Sequence, residues 1–188
     1  MIGRKTALKA MIGLTCATAL AGCADAPAAD QVAPIDVPAS HAKLVAVITE
    51  GRAAEQMGDR SALENAGTRL VAMKARPIGG SANLADRWQP VDEVLPPMRG
   101  RVQGPGYRVA ELATGETDTF QEIFYGIEET QVSVSGLGDY TINILDDDGQ
   151  SRFCDNQTVC RFTPDVTARY RIEIRNQGEA GTYIFVVD

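Results

Sequence analysis

Tyr140-Thr141-Ile142-Asn143-Ile144 and, further along, Tyr170-Arg171-Ile172-Glu173-Ile174-Arg175 decide the fold of this chain. In both stretches apolar and polar side chains alternate, the period of an antiparallel strand with one face in a core and the other in water. Val132 and Val134 repeat the pattern between Gln131, Ser133 and Ser135. Shorter strand signals fall at residues 107–112, 120–125, 150–153, 158–162 and 182–187. Gly115, Gly126, Gly136 with Gly138, Asp148-Gly149, Pro164-Asp165, and Gly178 with Gly181 punctuate them as turns. The expectation is a mainly β fold: a C-terminal antiparallel jelly-roll β-sandwich of about eight strands over residues 107–188. Register follows from the alternation. A slip by one residue would drive Asn143, Arg171 and Glu173 inward, so Ile142, Ile172 and Ile174 are placed in the core.

Upstream, the pattern changes. Residues 77–106 lose periodicity and gather ten Pro and Gly residues, which predicts a linker or ordered strap. Trp88 lies inside it, expected to plug against a neighbouring element, with ligand stacking as the alternative. Residues 40–76 predict a helical hairpin. Leu44, Val47, Ile48, Ala54 and Met57 recur at threes and fours behind Ser40 as N-cap, and Gly51 weakens the helix without forbidding it. Gly58-Asp59 supplies a stop and a new cap, and Ser61-Ala62-Leu63-Glu64 resembles a capping box ahead of Leu63, Ala66, Leu70 and Met73. Residues 23–39, rich in Ala, Pro and Asp, predict an extended tether.

Residues 1–22 have the layout of a signal peptide: a basic start with Arg4, Lys5 and Lys9, then an apolar run too short to span a bilayer. The run closes as Leu20-Ala21-Gly22-Cys23, which resembles the bacterial lipobox and implies lipidation of Cys23. Cleavage there removes three cations and no acid, moving the formal net charge from -7 to -10. An acidic body is repelled by anionic lipid, so acyl chains must do the anchoring. Ala24 in place of Asp favours outer-membrane delivery. The same acidity argues against nucleic acid as a partner.

The run Val132-Ser133-Val134-Ser135-Gly136-Leu137-Gly138-Asp139-Tyr140-Thr141-Ile142-Asn143-Ile144-Leu145-Asp146-Asp147-Asp148-Gly149, then Phe162-Thr163-Pro164, then residues 170–176, resembles the bacterial pre-peptidase C-terminal domain. That resemblance implies a small jelly-roll found at the ends of secreted proteases and in stand-alone envelope proteins. It rests on strand spacing and on Tyr170, Asn176 and Tyr183. Of the repeated Asp residues usual in that family only Asp139 remains, and Ala168-Arg169 replaces its usual Gly. Some relatives bind calcium, but no ligand residue carries over.

Cys154 and Cys160 are expected to form a disulfide closing a hairpin loop. Asp146 and Asp148 are weak calcium candidates in a run that otherwise reads as an Asp-Gly turn. Arg169, Arg171 and Arg175 should share a strand face with Glu173, either solvated or able to take an anion or sugar acid. His41 stands alone, no Ser lies in a nucleophile-elbow context, and no cofactor motif is present. The function this supports is a non-catalytic binding or structural module on an envelope lipoprotein, its partner an envelope protein or glycan. The alternative is an envelope enzyme or enzyme accessory acting on glycan or peptide through carboxylates brought together only by folding.

Overall fold

Ile142, Ile144, Ile172 and Ile174 are fully buried between two β-sheets, on the side the alternation assigns them. The structure, a computed structural model, describes residues 36–89 and 104–188. The expected signal peptide, Cys23, most of the expected tether and the middle of the Pro/Gly-rich stretch lie outside these residues.

The described residues form α1 (Ala39–Met57), α2 (Arg60–Ala72), β1 (Arg76–Pro77), α3 (Leu84–Trp88), β2 (Gly106–Leu112), β3 (Thr117–Phe124), β4 (Thr130–Gly136), β5 (Tyr140–Asp146), β6 (Arg152–Gln157), β7 (Val159–Phe162), β8 (Ala168–Asn176) and β9 (Gly181–Val187). One sheet runs β1-β2-β9-β4-β7 and the other β3-β8-β5-β6. The antiparallel pairs β2 with β9, β3 with β8, β4 with β7 and β5 with β6 nest inside one another. This is a long hairpin rolled into a sandwich, the jelly-roll topology. β1 adds a two-residue parallel pairing at the outer edge of β2.

Phe120, Phe124, Phe162, Tyr170, Tyr183 and Phe185 fill the space between the sheets with the isoleucines. Asn176, also fully buried, donates its amide to the carbonyls of Leu112 (3.2 Å) and Glu179 (2.7 Å) and accepts from Gly178 N–H (3.0 Å). Of the residues that carry the family resemblance, Tyr170, Asn176 and Tyr183 are therefore corner locks: their polar tips satisfy backbone or edge groups that the roll would otherwise strand.

β9 breaks the alternation. Tyr183-Ile184-Phe185-Val186-Val187 is apolar throughout because it is covered on both faces. Tyr183, Phe185 and Val187 point into the sandwich, while Ile184 and Val186, with Tyr107 of β2, meet Leu44, Val47 and Ile48 of α1 and Leu70 of α2. The helices thus form a third layer on one sheet. α1 ends at Gly58, whose φ of 70° places it in the left-handed region and lets its N–H bond back to Ala54 and Glu55. Asp59 then caps α2 through Ala62 N–H at 3.0 Å.

Three local expectations are corrected. Pro38, not Ser40, precedes α1, and Ser40 Oγ instead donates to Asp188 Oδ2 at 2.8 Å. Ser61 to Glu64 is no capping box, because Asp59 already holds the first-turn amide and Glu64 pairs with Arg60. The Cys154–Cys160 disulfide is present with its Cα atoms 6.0 Å apart, yet it closes no hairpin. β6 and β7 belong to different sheets, so the bond spans the corner where the chain crosses the sandwich.

Candidate functional site

With one sheet covered by helices, the outer face of β3-β8-β5-β6 is the open face of the sandwich. β8 supplies its central row. Arg171 lies opposite Gln121 and Leu145, Glu173 opposite Thr119 and Asn143, and Arg175 opposite Thr117 and Thr141, while Arg169 pairs with Ile123. The three arginines named from the sequence do share this face. They are not equivalent. Arg171 is half-buried, with Nε 3.3 Å from Glu173 Oε1, and its guanidinium lies over Gly149. Arg169 and Arg175 are exposed and form no ion pair among the described residues. Six residues apart in an extended strand, they stand about 20 Å from one another. Beside them on β5, Thr141, which accepts from Gln177 Nε2 at 3.3 Å, and Asn143, which accepts from Asn156 N–H at 3.1 Å, are both buried, and the exposed hydroxyls of this face are those of Thr117 and Thr119 on β3.

The remaining sequence candidates have structural tasks. Trp88 is only 3% exposed, so its ring is not open to a ligand. A Cβ on Gly51 would come within 2.3 Å of that ring, so the glycine in α1 is the seat of the indole. Asp146 and Asp148 spend their carboxylates on the turn: Asp146 Oδ2 accepts from Ser151 N–H at 2.8 Å and Asp148 Oδ1 from Gln150 N–H at 3.2 Å. Gly149 completes the turn at φ 75°. One oxygen of each carboxylate is thus held by a backbone donor, while Asp146 Oδ1 is buried without a partner, and no group of three or more metal-binding side chains occurs among the described residues.

His41, isolated in the sequence, is placed by folding between Ser133 Oγ, 2.8 Å from Nδ1, and Asp188 Oδ2, 3.1 Å from Nε2. The trio has the composition of a hydrolase triad. Its geometry is that of a clamp, because His41 and Ser133 are both fully buried and no substrate carbon can reach the Ser hydroxyl. Hydrogen bonds from His41 and Ser40 outweigh burial and hold the Asp188 carboxyl below its ordinary value. A second polar knot ties the strap to the sandwich. Arg108 grips Asp118 through Nε (2.7 Å) and Nη2 (3.0 Å), donates to the Gly79 carbonyl and the Tyr183 hydroxyl, and stacks over Phe120 at 4.7 Å. Burial would raise the Asp118 pKa, but hydrogen bonds from Arg108 and Tyr183 bring it below the usual range. Tyr183 is pushed up by burial and by that carboxylate.

The loops at residues 125–129 and 163–167 were not singled out by sequence. Ile127 has φ 66° and is 88% exposed, and Val166 is 62% exposed. In sequence Gly126 and Pro164-Asp165 read as ordinary turns, and nothing local marks the left-handed backbone of Ile127.

The described chain is thus a jelly-roll β-sandwich backed by a helical layer. No protein-family model matches it, and no curated protein sequence does. Among solved structures it is similar to PliG of Aeromonas hydrophila, a periplasmic lysozyme inhibitor of g-type lysozyme, at 11% identity and TM-score 0.38, covering 45% of this chain and 84% of that one. PliG of Salmonella Typhimurium matches at 11% identity and TM-score 0.36, covering 45% and 89%. The pre-peptidase C-terminal domain of a Bacillus anthracis collagenase matches at 16% identity and TM-score 0.35, covering 44% and 87%. The last is the family the sequence resembles. All three are likenesses of fold, and no ligand of this chain rests on them.

Proposed function

We propose that this chain is a lipid-anchored, non-catalytic module of the bacterial cell envelope that holds an anionic glycan on its open sheet face. The observation that carries the reading is the asymmetry of the sandwich. Helices close one outer face, while the other presents Arg169 and Arg175 unpaired on a protein whose net charge is strongly negative. Unpaired guanidinium groups on an acidic body are placed to receive carboxylates or sulfates from outside, since intramolecular acids leave them free. Thr117 and Thr119, exposed in the neighbouring row of β3, suit a hydroxyl-rich chain. The anchor in this reading is an acyl-modified Cys23 at the close of the lipobox-like run. Among the described residues no helix is long and apolar enough to cross a membrane.

The test uses the full chain in detergent, with polygalacturonate as the acidic polysaccharide and dextran as the neutral one. Affinity electrophoresis should show retardation by polygalacturonate alone, reversed by raised salt, because exposed ion pairs are screened over about 10 Å at 0.1 M. Arg169→Ala with Arg175→Ala should abolish it. Equal retardation of this variant, or none of the parent, refutes the assignment. In cells, a fatty-acid probe should label the parent and leave Cys23→Ala unlabelled; an unlabelled parent refutes the anchor.

A further inference from the structure

Between Arg169 and Arg175 the open sheet face is not cationic. Arg171, on the same row of β8, has its Nε 3.3 Å from Glu173 Oε1 and its guanidinium turned over Gly149. A second acid arrives from the β5–β6 turn, where Gln121 Nε2 donates to Oδ1 of the exposed Asp147 at 3.3 Å. β8 separates β3, which carries Gln121, from β5, which Asp147 follows, so this bond passes over β8 on the open face. Register fixes the place. Gln121 lies opposite Arg171, and Asp146, one residue before Asp147, lies opposite Tyr170. Asp147 and Glu173 therefore bring two negative charges over a stretch whose one cation is Arg171. Asp146 and Asp148, in the same turn, add to that charge rather than offset it. Arg152, at the β6 edge of the sheet, is paired with Asp155. Read along β8, the face is positive at Arg175, negative in the middle and positive again at Arg169.

Resting on the anionic-glycan reading above, we infer that the site selects a heteroglycan whose acidic sugars are set apart by neutral ones, against a chain acidic at every sugar. The spacing follows from the strand. A pyranose unit advances a glycan by roughly one and a half residues of extended strand, so the six-residue step from Arg169 to Arg175 matches about four sugars. Acids at that interval meet a guanidinium at each end and leave neutral sugars over Asp147 and Glu173. Those carboxylates accept hydrogen bonds from sugar hydroxyls, and Thr117, Thr119 and Gln121, exposed on β3, border the same stretch. A chain charged at every sugar reaches the same two arginines, but its inner carboxylates then face two groups of like sign. Repulsion of that kind separates ligands that the attractive contacts alone would not. Asp147 and Glu173 are thus the residues that determine specificity on this face.

Affinity electrophoresis of the full chain in detergent, in sodium buffer free of divalent cations, tests this. The probes are polygalacturonate, with a carboxylate on every sugar, and deacylated gellan, with a carboxylate only once per tetrasaccharide repeat. The parent should be half-maximally retarded at a mass concentration of gellan lower than that of polygalacturonate by about threefold or more, the effect expected of two solvent-exposed charge contacts. Asp147→Asn with Glu173→Gln should bring the two probes to within about twofold of each other, by improving polygalacturonate and not gellan. Glu50→Gln with Glu64→Gln, which removes the same charge from α1 and α2, should leave the preference as it is in the parent. Equal or tighter binding of polygalacturonate by the parent overturns the spacing and leaves the glycan reading standing. A preference that survives the loss of Asp147 and Glu173 also overturns it. So does one that the helix pair reduces equally, which would assign the preference to net charge. Retardation of the parent by neither probe overturns this inference and the glycan reading together.

Discussion

Single residues in this protein are decided by what folding places beside them. Gly51 lowers helix propensity by about 1 kcal/mol relative to Ala, and the structure explains its presence: the Trp88 ring occupies the space of its missing side chain. Gly51→Ala should therefore lower stability by about 1–3 kcal/mol in urea melts of the lipid-free Cys23→Ala protein, despite improving the helix; a stabilised variant would show that the indole can move. His41→Ala should cost about 2–4 kcal/mol, from the cavity and from Ser133 Oγ left buried without a partner. Asp188 and Asp118 both titrate below the free carboxylate value of about 3.9 when folded. The stability they supply is complete above that value and lost as pH falls through their lower folded values. Asp118→Asn should consequently lose stability at pH 7 but show a shallower decline than the parent between pH 5 and pH 2. Parallel declines would mean that other carboxylates govern acid unfolding. None of these partners was legible in the sequence, because His41, Ser133 and Asp188 come from three distant segments and nothing in their local context marks them.

Elements were far more legible, and the reason is periodicity. Alternation placed β4, β5 and β8 to within a residue or two and assigned their faces, because a misregistered strand would bury charge. Ile172→Ala should cost about 2–5 kcal/mol and Arg169→Ala, on the opposite face of the same strand, less than about 0.5 kcal/mol, as paired urea melts would show. Comparable losses would invert the two faces. Connections were less legible. Cys154 and Cys160 are close enough in sequence to suggest a hairpin, and only the sheet order shows β6 and β7 parting across the sandwich. Reduction should remove at most about 2–2.5 kcal/mol of loop-closure stabilisation, because the closed loop is short. The corner should then fray first, with amide exchange accelerating at residues 152–162 before it does in β8. Uniform acceleration would place the bond's contribution elsewhere.

At the scale of the whole molecule, the helices and the sandwich are bound together by β9. Residues 182–187 read in sequence only as a short strand; their unbroken apolar run is what coverage on both faces requires, since a strand solvated on one face would alternate. The partner layer could not be read from the strand itself, only from α1 and α2, whose apolar stripes needed a surface to cover. Residues 107–188 look like a free-standing domain in sequence, yet removing the helices would uncover Tyr107, Ile184 and Val186 together. At about 1.5–3 kcal/mol for each large side chain returned to water, the loss approaches the roughly 5–15 kcal/mol that holds a whole domain folded. It also opens an apolar sheet face to other chains. A fragment spanning residues 104–188 is accordingly expected to aggregate or to unfold without cooperativity, judged by size-exclusion chromatography and urea melts. Ile184→Thr with Val186→Thr, both on the helix-facing side of β9, should return the fragment to a monomer by making that face wettable while leaving Phe185 and the inner core untouched. In the full-length chain the same pair should destabilise, because two hydroxyls would then be buried against Leu44 and Ile48. Opposite signs in fragment and parent are the signature of a helical layer that the sandwich requires, and a fragment that is monomeric and cooperative without any substitution would show that it does not.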